Sequence, residues 1–302
     1  MTLHEQVRQF LSQAAQFDPV HTLTPDKFRE VAVATAISET YELQTDDYRL
    51  AGPHGEQLVR IYRPNQAGPL PVIVFFHGGG FVINDVEAID PMCRKLAAIT
   101  GLAVASVDYR KAPEFKFPVP VEESMFALKW IYERAPELDL VREKIVVAGE
   151  SAGGNLAAVV SQLARDQGGP AIAYQVLICP LTDWSNHYES KARYYAGYFL
   201  EKATLDYFAG HYLRHERDRL DPIASPMLGN LAGLPPALII TAEYDPLRDE
   251  GEQYGHKLVE HGVQVTLKRY NGMIHLFYAM TDLFDDGEDV YQTIHRQLRS
   301  II

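Results

Sequence analysis

The stretch Val146-Val147-Ala148-Gly149-Glu150-Ser151-Ala152-Gly153-Gly154-Asn155-Leu156 decides the interpretation of this chain. Residues 144–148 form a short, mostly apolar run that predicts a buried strand, and residues 155–160 predict a helix. Ser151 lies between them, with a glycine two residues away on each side. A serine in so tight a turn needs small neighbours, because larger side chains would clash with the strand and the helix that cross there. The stretch therefore predicts a sharp strand–turn–helix corner with a hydroxyl at its tip.

Gly-x-Ser-x-Gly at such a corner is typical of a nucleophile elbow. The start of the following helix offers unpaired N–H groups and the positive end of a dipole, which can hold a developing negative charge. The same pattern also fits an ordinary glycine-rich turn, so the interpretation depends on the rest of the chain.

Several other apolar runs predict strands, and most of them are separated by helical patterns. This alternation predicts an α/β fold, with a mostly parallel central sheet of about eight strands and helices on both faces. The predicted strands are 41–50, 57–62, 71–76, 102–107, 144–148, 174–178, 237–241 and 263–267, and the clearest helices between them are 88–100 and 119–134.

Two segments do not fit this alternation. Residues 1–40 carry apolar residues at helical spacing, with a helix start at Thr24-Pro25-Asp26-Lys27. Residues 182–232 show no strand pattern but are rich in tyrosine and phenylalanine, most of which core packing explains. We expect residues 1–40 and an insertion at 182–220 to form a small helical cap. Residues 41–181 and 221–302 then form the catalytic domain.

The composition excludes several classes of partner. The 302 residues include 28 Lys and Arg against 40 Asp and Glu, a net charge of −12, which disfavours nucleic acid and anionic membranes. No apolar run approaches 18 residues, and the N-terminal residues do not resemble a signal peptide. Cys93 and Cys179 are too few for a disulfide framework, so we expect buried free thiols. A cytoplasmic protein without a membrane span is the expectation.

The sequence His77-Gly78-Gly79-Gly80-Phe81 follows the predicted strand 71–76. Consecutive glycines allow backbone N–H groups to approach a single point, which is what stabilisation of an oxyanion requires. We assign this role to the N–H groups of Gly78 and Gly79 together with that of Ala152. A phosphate-binding loop is the competing interpretation, but the Gly-Lys-Ser/Thr ending is missing.

A serine nucleophile needs a base, and the base needs an orienting carboxylate. Of the eleven histidines, His275 is expected in a loop just after the last predicted strand. Asp245 comes soon after the predicted strand 237–241 and is favoured as the acid, with Asp249 and Glu243 as rivals. The order Ser, Asp, His is the one expected for an α/β-hydrolase.

Five motifs together make the chain resemble the hormone-sensitive-lipase-like family of bacterial carboxylesterases, within the α/β-hydrolase fold. The resemblance implies a helical cap, no cofactor or metal, and a serine carboxylesterase acting on short- to medium-chain acyl esters. It also implies a possible homodimer, since some relatives dimerise through the sheet edge. The motifs are 77–81, Tyr109-Arg110-Lys111-Ala112-Pro113-Glu114, 149–155, Asp221-Pro222-Ile223-Ala224-Ser225-Pro226 and Asp245-Pro246-Leu247-Arg248-Asp249-Glu250-Gly251.

Two departures from the family pattern lie close to the predicted site. Glu150 stands where relatives often have aspartate, and Leu276 follows His275 where glycine is common. We take Phe81, Leu276 and Phe277 as candidate substrate-binding residues. An amidase of the arylformamidase-like kind is the nearest rival function. A non-catalytic small-molecule receptor, like the plant gibberellin receptors, is a further rival from a different class.

Overall fold

The computed structural model describes residues 2–16, 19–32 and 34–299. Residues 1, 17–18 and 33 of the predicted N-terminal segment, and 300–302 of the predicted C-terminal part, lie outside the described residues. Within the described ranges the order of elements is α1 (Glu5–Ala14), α2 (Pro25–Val31), β1 (Gln44–Gly52), β2 (Gly55–Arg63), β3 (Leu70–Phe76), α3 (Asp90–Thr100), β4 (Ala103–Asp108), α4 (Val119–Arg134), β5 (Leu140–Glu150), α5 (Ala152–Asp166), β6 (Tyr174–Ile178), α6 (Glu189–Tyr194), α7 (Lys202–Tyr212), β7 (Ala237–Tyr244), α8 (Arg248–Glu260), β8 (Val265–Ile274) and α9 (Asp285–Arg299).

The eight described strands form one sheet in the order β1-β2-β4-β3-β5-β6-β7-β8. β1 and β2 pair antiparallel, β2 pairs antiparallel with β4, and every other neighbouring pair is parallel. One hydrophobic cluster joins the sheet to α4, α5 and α8, and a second joins it to α3 and α9. The predicted α/β-hydrolase fold, with helices on both faces of a mostly parallel sheet, is confirmed. Because parallel strands end at the same edge, the loops after β3, β5, β7 and β8 gather there.

The predicted bounds of β6 and α4 match the structure, whereas β8 was predicted too short. The prediction ended at residue 267, but β8 continues to Ile274, directly before His275. β8 lies at the edge of the sheet and carries half-exposed polar residues such as Lys268 and Arg269. Polar side chains on an edge strand hide its continuation from a search for apolar runs.

The N-terminal helices pack on the inserted segment that follows β6. Phe28 of α2 stacks on Phe208 of α7, with ring centroids 5.9 Å apart. Phe10 of α1 lies 5.4 Å from Phe199. α2 begins at Pro25, as predicted, and Thr24 accepts a hydrogen bond from the Lys27 N–H at 3.3 Å. These contacts are those expected of a cap built from both segments, and its division into 1–40 and 182–220 stays a prediction.

A buried ion pair fastens the inserted segment to α8. Lys191 Nζ lies 2.6 Å from Glu250 Oε2, and both side chains are buried. The other oxygen of Glu250 accepts hydrogen bonds from the backbone N–H groups of Thr182 and Asp183, at 2.7 and 3.2 Å. Burial raises the pKa of Glu250 although the charge of Lys191 opposes the shift. Lys191 therefore offsets much of the cost of holding a carboxylate in the interior.

We expect Lys191→Met to lower the free energy of unfolding by about 3 kcal/mol at neutral pH, because it leaves a buried carboxylate unpaired. The loss is expected to shrink at about pH 5, where Glu250 can take up a proton instead. Urea unfolding at the two pH values measures this difference. The control is Lys202→Met on α7, which breaks an exposed pair with Asp206 and should cost less than about 1 kcal/mol. Equal losses in the two variants would contradict the expectation.

Both cysteines are free and buried, as predicted. No helix in the described part of the chain has the length and apolar character needed to cross a membrane.

Candidate active site

Ser151 occupies a strained corner between β5 and α5. Its φ of 54° is unusual for a residue with a side chain. Gly153 permits the corner, because a Cβ at that position would lie 1.9 Å from the carbonyl oxygen of Phe76 on the neighbouring strand. The Ser151 N–H donates to Ile178 of β6 at 2.9 Å, and its carbonyl accepts from Leu181 at 3.1 Å. Hydrogen bonds to β6 and to the segment that follows it therefore hold the strained corner.

His275 and Asp245 meet Ser151 at this edge of the sheet. His275 Nε2 lies 3.0 Å from Ser151 Oγ, and His275 Nδ1 lies 2.7 Å from Asp245 Oδ2. β8 ends one residue before His275, and β7 ends one residue before Asp245. Since a carboxylate can only accept, Nδ1 carries the proton and Nε2 is free to accept from the serine hydroxyl. The structure brings the three predicted side chains together in the order required for proton transfer.

The two rival carboxylates have other partners. Asp249 accepts a hydrogen bond from the Ser190 N–H at 2.7 Å and pairs with Arg248. Glu243 accepts from the Gly272 N–H at 2.8 Å. Asp245 is fully buried, and its second oxygen, Oδ1, accepts from the Leu247 N–H at 2.8 Å. Of the three candidates, Asp245 is the one that contacts His275.

The pKa of His275 is raised above its ordinary value of 6.5. Burial alone would lower it, but the charge and the hydrogen bond of Asp245 outweigh burial, and the charge of Glu150 adds to them. A histidine in this state is a stronger base than a free imidazole, and it is protonated over more of the neutral range.

We therefore expect kcat/KM for an uncharged ester to fall as the pH is lowered, with a midpoint above 6.5. Only the neutral imidazole can accept the Ser151 proton, so the fall follows protonation of His275. Initial rates from about pH 5 to about pH 9 would measure the midpoint. A midpoint below the ordinary histidine value would contradict the assignment of Asp245 as a charged partner.

The loop after β3 lies against the serine corner. His77 is fully buried, stacks on Tyr109 with ring centroids 4.2 Å apart, and donates from Nδ1 to the Gly78 carbonyl at 2.7 Å. Burial lowers the pKa of His77 to about 4, so its imidazole is neutral. The Tyr109 hydroxyl donates to the His77 carbonyl at 2.7 Å. His77 therefore maintains the shape of the loop.

The prediction for Gly78 requires correction. Its N–H donates to the Glu150 carboxylate, so it is not free to bind the oxygen of a substrate. No pattern in the sequence indicates this contact, because Glu150 is 72 residues away along the chain. Among the described residues, no hydrogen-bond acceptor is found for the N–H groups of Gly79, Gly80 and Ala152. These three amides are the ones available to an oxyanion.

Glu150, which departs from the family pattern, contacts the candidate site in the structure. It is fully buried, and burial raises its pKa to about 7, against the lowering effect of hydrogen bonds from Tyr278 and Gly78. The Tyr278 hydroxyl donates to Glu150 Oε2 at 2.8 Å. The contact of Tyr278 with Glu150 was not predicted, since a tyrosine in an apolar run is typical of a core residue.

The three candidate substrate-binding residues have different surroundings. Phe81 is fully buried and stacks on Tyr212, with ring centroids 3.8 Å apart. Phe277 is also fully buried, 4.9 Å from the ring of Tyr270. Neither ring presents surface to a substrate, so the structure does not support the predictions for these two. Leu276 is partly exposed beside His275, and its predicted contact with a substrate stays a prediction.

In the described part of the chain, one group of side chains has donor atoms close enough together to hold a metal ion, all within 4.8 Å of one another. The group consists of Cys179, Asp245 and His275. Their chemistry does not fit a metal site. Burial raises the pKa of the Cys179 thiol well above its ordinary value, so the sulfur keeps its proton, whereas a metal ligand must be a thiolate. The nearby imidazole nitrogen is already bound to Asp245.

A groove of about 1170 Å³ lies elsewhere on the molecule, between the start of β1, the end of β2 and the start of α3. None of the predicted site residues lines it. Its volume would admit a small molecule, but the described residues that line it include no nucleophile–base pair.

A serine on a strained strand–helix corner, with a histidine and an aspartate from the ends of β8 and β7, defines the α/β-hydrolase class of proteins. A family model described as the alpha/beta hydrolase fold matches residues 73–279. This chain belongs to that family, in its hormone-sensitive-lipase-like branch.

Individual relatives agree with this placement. The carboxylic ester hydrolase LipN of Mycobacterium tuberculosis is 41% identical over 244 residues, which are 78% of this chain and 65% of that protein. An arylesterase of Saccharolobus solfataricus is 37% identical over 92% of each chain. The solved hyperthermophilic esterase of the archaeon Pyrobaculum calidifontis is 40% identical, with a TM-score of 0.92 and 99% of each chain covered.

Proposed function

We propose that this protein is a serine carboxylesterase that hydrolyses short- to medium-chain acyl esters through an acyl-enzyme. The observation that carries the proposal is the short path from Ser151 Oγ through His275 to Asp245, with hydrogen bonds of 3.0 and 2.7 Å. The names of the relatives support the substrate class, since one is called a carboxylic ester hydrolase and another an arylesterase.

In the proposed first step, Ser151 Oγ attacks the ester carbonyl carbon while His275 Nε2 takes the hydroxyl proton. Asp245 holds the imidazole in the tautomer that makes this possible and stabilises the imidazolium that forms. The former carbonyl oxygen, now negative, binds the N–H groups of Gly79, Gly80 and Ala152, which replace the predicted set of Gly78, Gly79 and Ala152. His275 then gives its proton to the departing alcohol, and the acyl group remains on Ser151.

In the second step the roles repeat with water. His275 takes a proton from a water molecule that attacks the acyl-enzyme, and it returns the proton to Ser151 Oγ as the carboxylic acid leaves. No metal or organic cofactor is required in this scheme, because the nucleophile, the base and the oxyanion donors all belong to the chain.

The cellular location and the oligomeric state of the protein are also part of the proposal. Two buried free thiols support a reducing compartment, and we propose the cytoplasm. β8 lies at one edge of the sheet, which supports the homodimer that the family resemblance implies. Sedimentation equilibrium would test the dimer.

The function is tested with p-nitrophenyl esters of graded acyl length, with an aryl formamide and an anilide measured beside them. We expect the highest kcat/KM on short to medium acyl chains. Faster cleavage of the formamide or the anilide than of every ester would replace the proposal by the arylformamidase-like alternative. Binding of such compounds without any turnover would favour the alternative of a non-catalytic small-molecule receptor.

A further inference from the structure

One buried carboxylate links three of the four loops that form the candidate active site. Glu150 directly precedes Ser151 at the end of β5. Its Oε1 accepts the N–H of Gly78 in the loop after β3, and its Oε2 accepts the hydroxyl of Tyr278 at 2.8 Å. Tyr278 lies three residues after His275. The loops of the nucleophile, of the oxyanion donors and of the base therefore share this carboxylate.

The contacts are tight and inaccessible to water. Glu150 is 3% exposed and Tyr278 is 1% exposed. A Cβ on Gly78 would lie 2.2 Å from Glu150 Oε2, so glycine at this position is what lets the carboxylate reach the backbone. Tyr278 is itself fixed, because its carbonyl accepts the hydroxyl of Tyr291 on α9 at 3.1 Å. A buried link of this kind leaves little freedom to the loops it joins.

We propose that Tyr278 and Glu150 are positioning residues that tie the loop of His275 to the loop of Gly78, so that one buried link sets the base and the oxyanion donors relative to each other. Neither side chain contacts the substrate. The kinetic part of this inference rests on the proposed function.

The charge of Glu150 is the property that makes the link testable. Burial raises its pKa to about 7, so its ionisation changes near neutral pH. The charge in turn helps to raise the pKa of His275, the one group among those facing it that becomes a cation. The groups that face Glu150 are His275 and Tyr278 from the segment after β8, Tyr291 from α9, Cys93 from α3, Cys179 from the end of β6 and Tyr109 from the end of β4.

The first test compares kcat/KM against pH in Tyr278→Phe and Glu150→Gln. Tyr278→Phe removes a donor to the ionised carboxylate, which raises the pKa of Glu150 further and leaves less negative charge beside His275 near neutral pH. We expect kcat to fall about 10-fold with little change in KM, and the acid limb to move down. Glu150→Gln keeps an oxygen for the Gly78 N–H but removes the charge. It should retain more activity and move the acid limb down.

The control is Tyr62→Phe, which removes another buried tyrosine hydroxyl that donates to a carboxylate, Asp90, at 3.0 Å. Tyr62 lies on β2, which β4 and β3 separate from β5. Removal of the Tyr62 hydroxyl should leave the dependence of kcat/KM on pH unchanged. A Tyr278→Phe profile that matches that of Tyr62→Phe, or an acid limb that moves up in Tyr278→Phe or in Glu150→Gln, would overturn the inference.

The second test needs no enzymatic activity. The free energy of unfolding of Tyr278→Phe should fall more at about pH 8, where Glu150 is ionised, than at about pH 5, where it is protonated, because hydrogen bonds to ionised groups are stronger. The loss of unfolding free energy in Tyr62→Phe should be similar at both pH values. If the protein hydrolysed no ester, the proposed function would fail, while a pH-dependent loss in Tyr278→Phe would still support the link. An equal loss of unfolding free energy at both pH values in Tyr278→Phe would overturn the inference of a buried link.

Discussion

Ser151→Ala should lower kcat for ester hydrolysis by roughly five to six orders of magnitude. The hydroxyl is the atom that becomes acylated, and nothing else in the corner can replace it. The structure places it 3.0 Å from its base, at the start of α5. The remaining activity should be that of water held near the oxyanion donors. Steady-state rates on a p-nitrophenyl ester, with purified variant and wild type at equal concentration, measure the loss.

The matched control for this variant is Ser161→Ala. Ser161 is a buried serine on the same helix, and its hydroxyl donates to the Ala157 carbonyl at 2.8 Å. It should lose a little stability and keep kcat within a few-fold of wild type. Because active wild-type contaminant sets the lower limit of detection, Ser151→Ala should be expressed separately. A Ser151→Ala protein with more than about 1% of wild-type kcat would contradict the assignment.

Asp245→Asn should lower kcat by about four orders of magnitude, the second largest effect expected, by analogy with the same change in serine proteases. The reason lies in the hydrogen bonds of this carboxylate. Oδ1 accepts from the Leu247 N–H at 2.8 Å, so the asparagine would keep its carbonyl oxygen there and turn its NH₂ group toward His275. The imidazole would then have to accept at Nδ1 and carry its proton on Nε2. In that tautomer it cannot take the proton of Ser151.

The control for Asp245→Asn is Asp249→Asn, a neighbouring carboxylate in the same motif. Asp249 binds Ser190 and Arg248 instead of His275, so its loss should cost stability but less than about tenfold in kcat. Near-equal losses of kcat in the two variants would contradict the assignment of Asp245. Thermal unfolding of both variants shows whether a loss comes from the fold or from the site.

Much of the fold could be predicted from the sequence because its central strands are buried on both faces. Continuous apolar runs such as 71–76 and 174–178 therefore marked β3 and β6. β8 lies at the sheet edge, where half-exposed polar residues are tolerated, and its last seven residues were missed. The turn at Ser151 was predictable because steric demands at a tight crossing leave a local pattern of small residues.

The residues of the candidate site likewise separate into those that the sequence could predict and those that it could not. Ser151, Asp245 and His275 each follow a strand directly or within a residue, and parallel strands bring their ends together at one edge. The use of the Gly78 N–H by Glu150 depends on a contact between two loops far apart in the chain, and no spacing within either loop reveals it. Likewise Phe81 and Phe277 adjoin motifs that line the site, but their rings turn into the core, which sequence adjacency does not specify.

The most direct test of the central claim is labelling with a fluorophosphonate probe, followed by peptide mass spectrometry. A fluorophosphonate reacts with a serine that a neighbouring base has activated, whatever ester the protein takes in the cell. We predict that one probe adds to each chain, on the peptide that carries Ser151, and that Ser151→Ala and His275→Ala remain unlabelled. An intact, folded wild-type protein that takes no label, or takes it on another serine, would contradict the account.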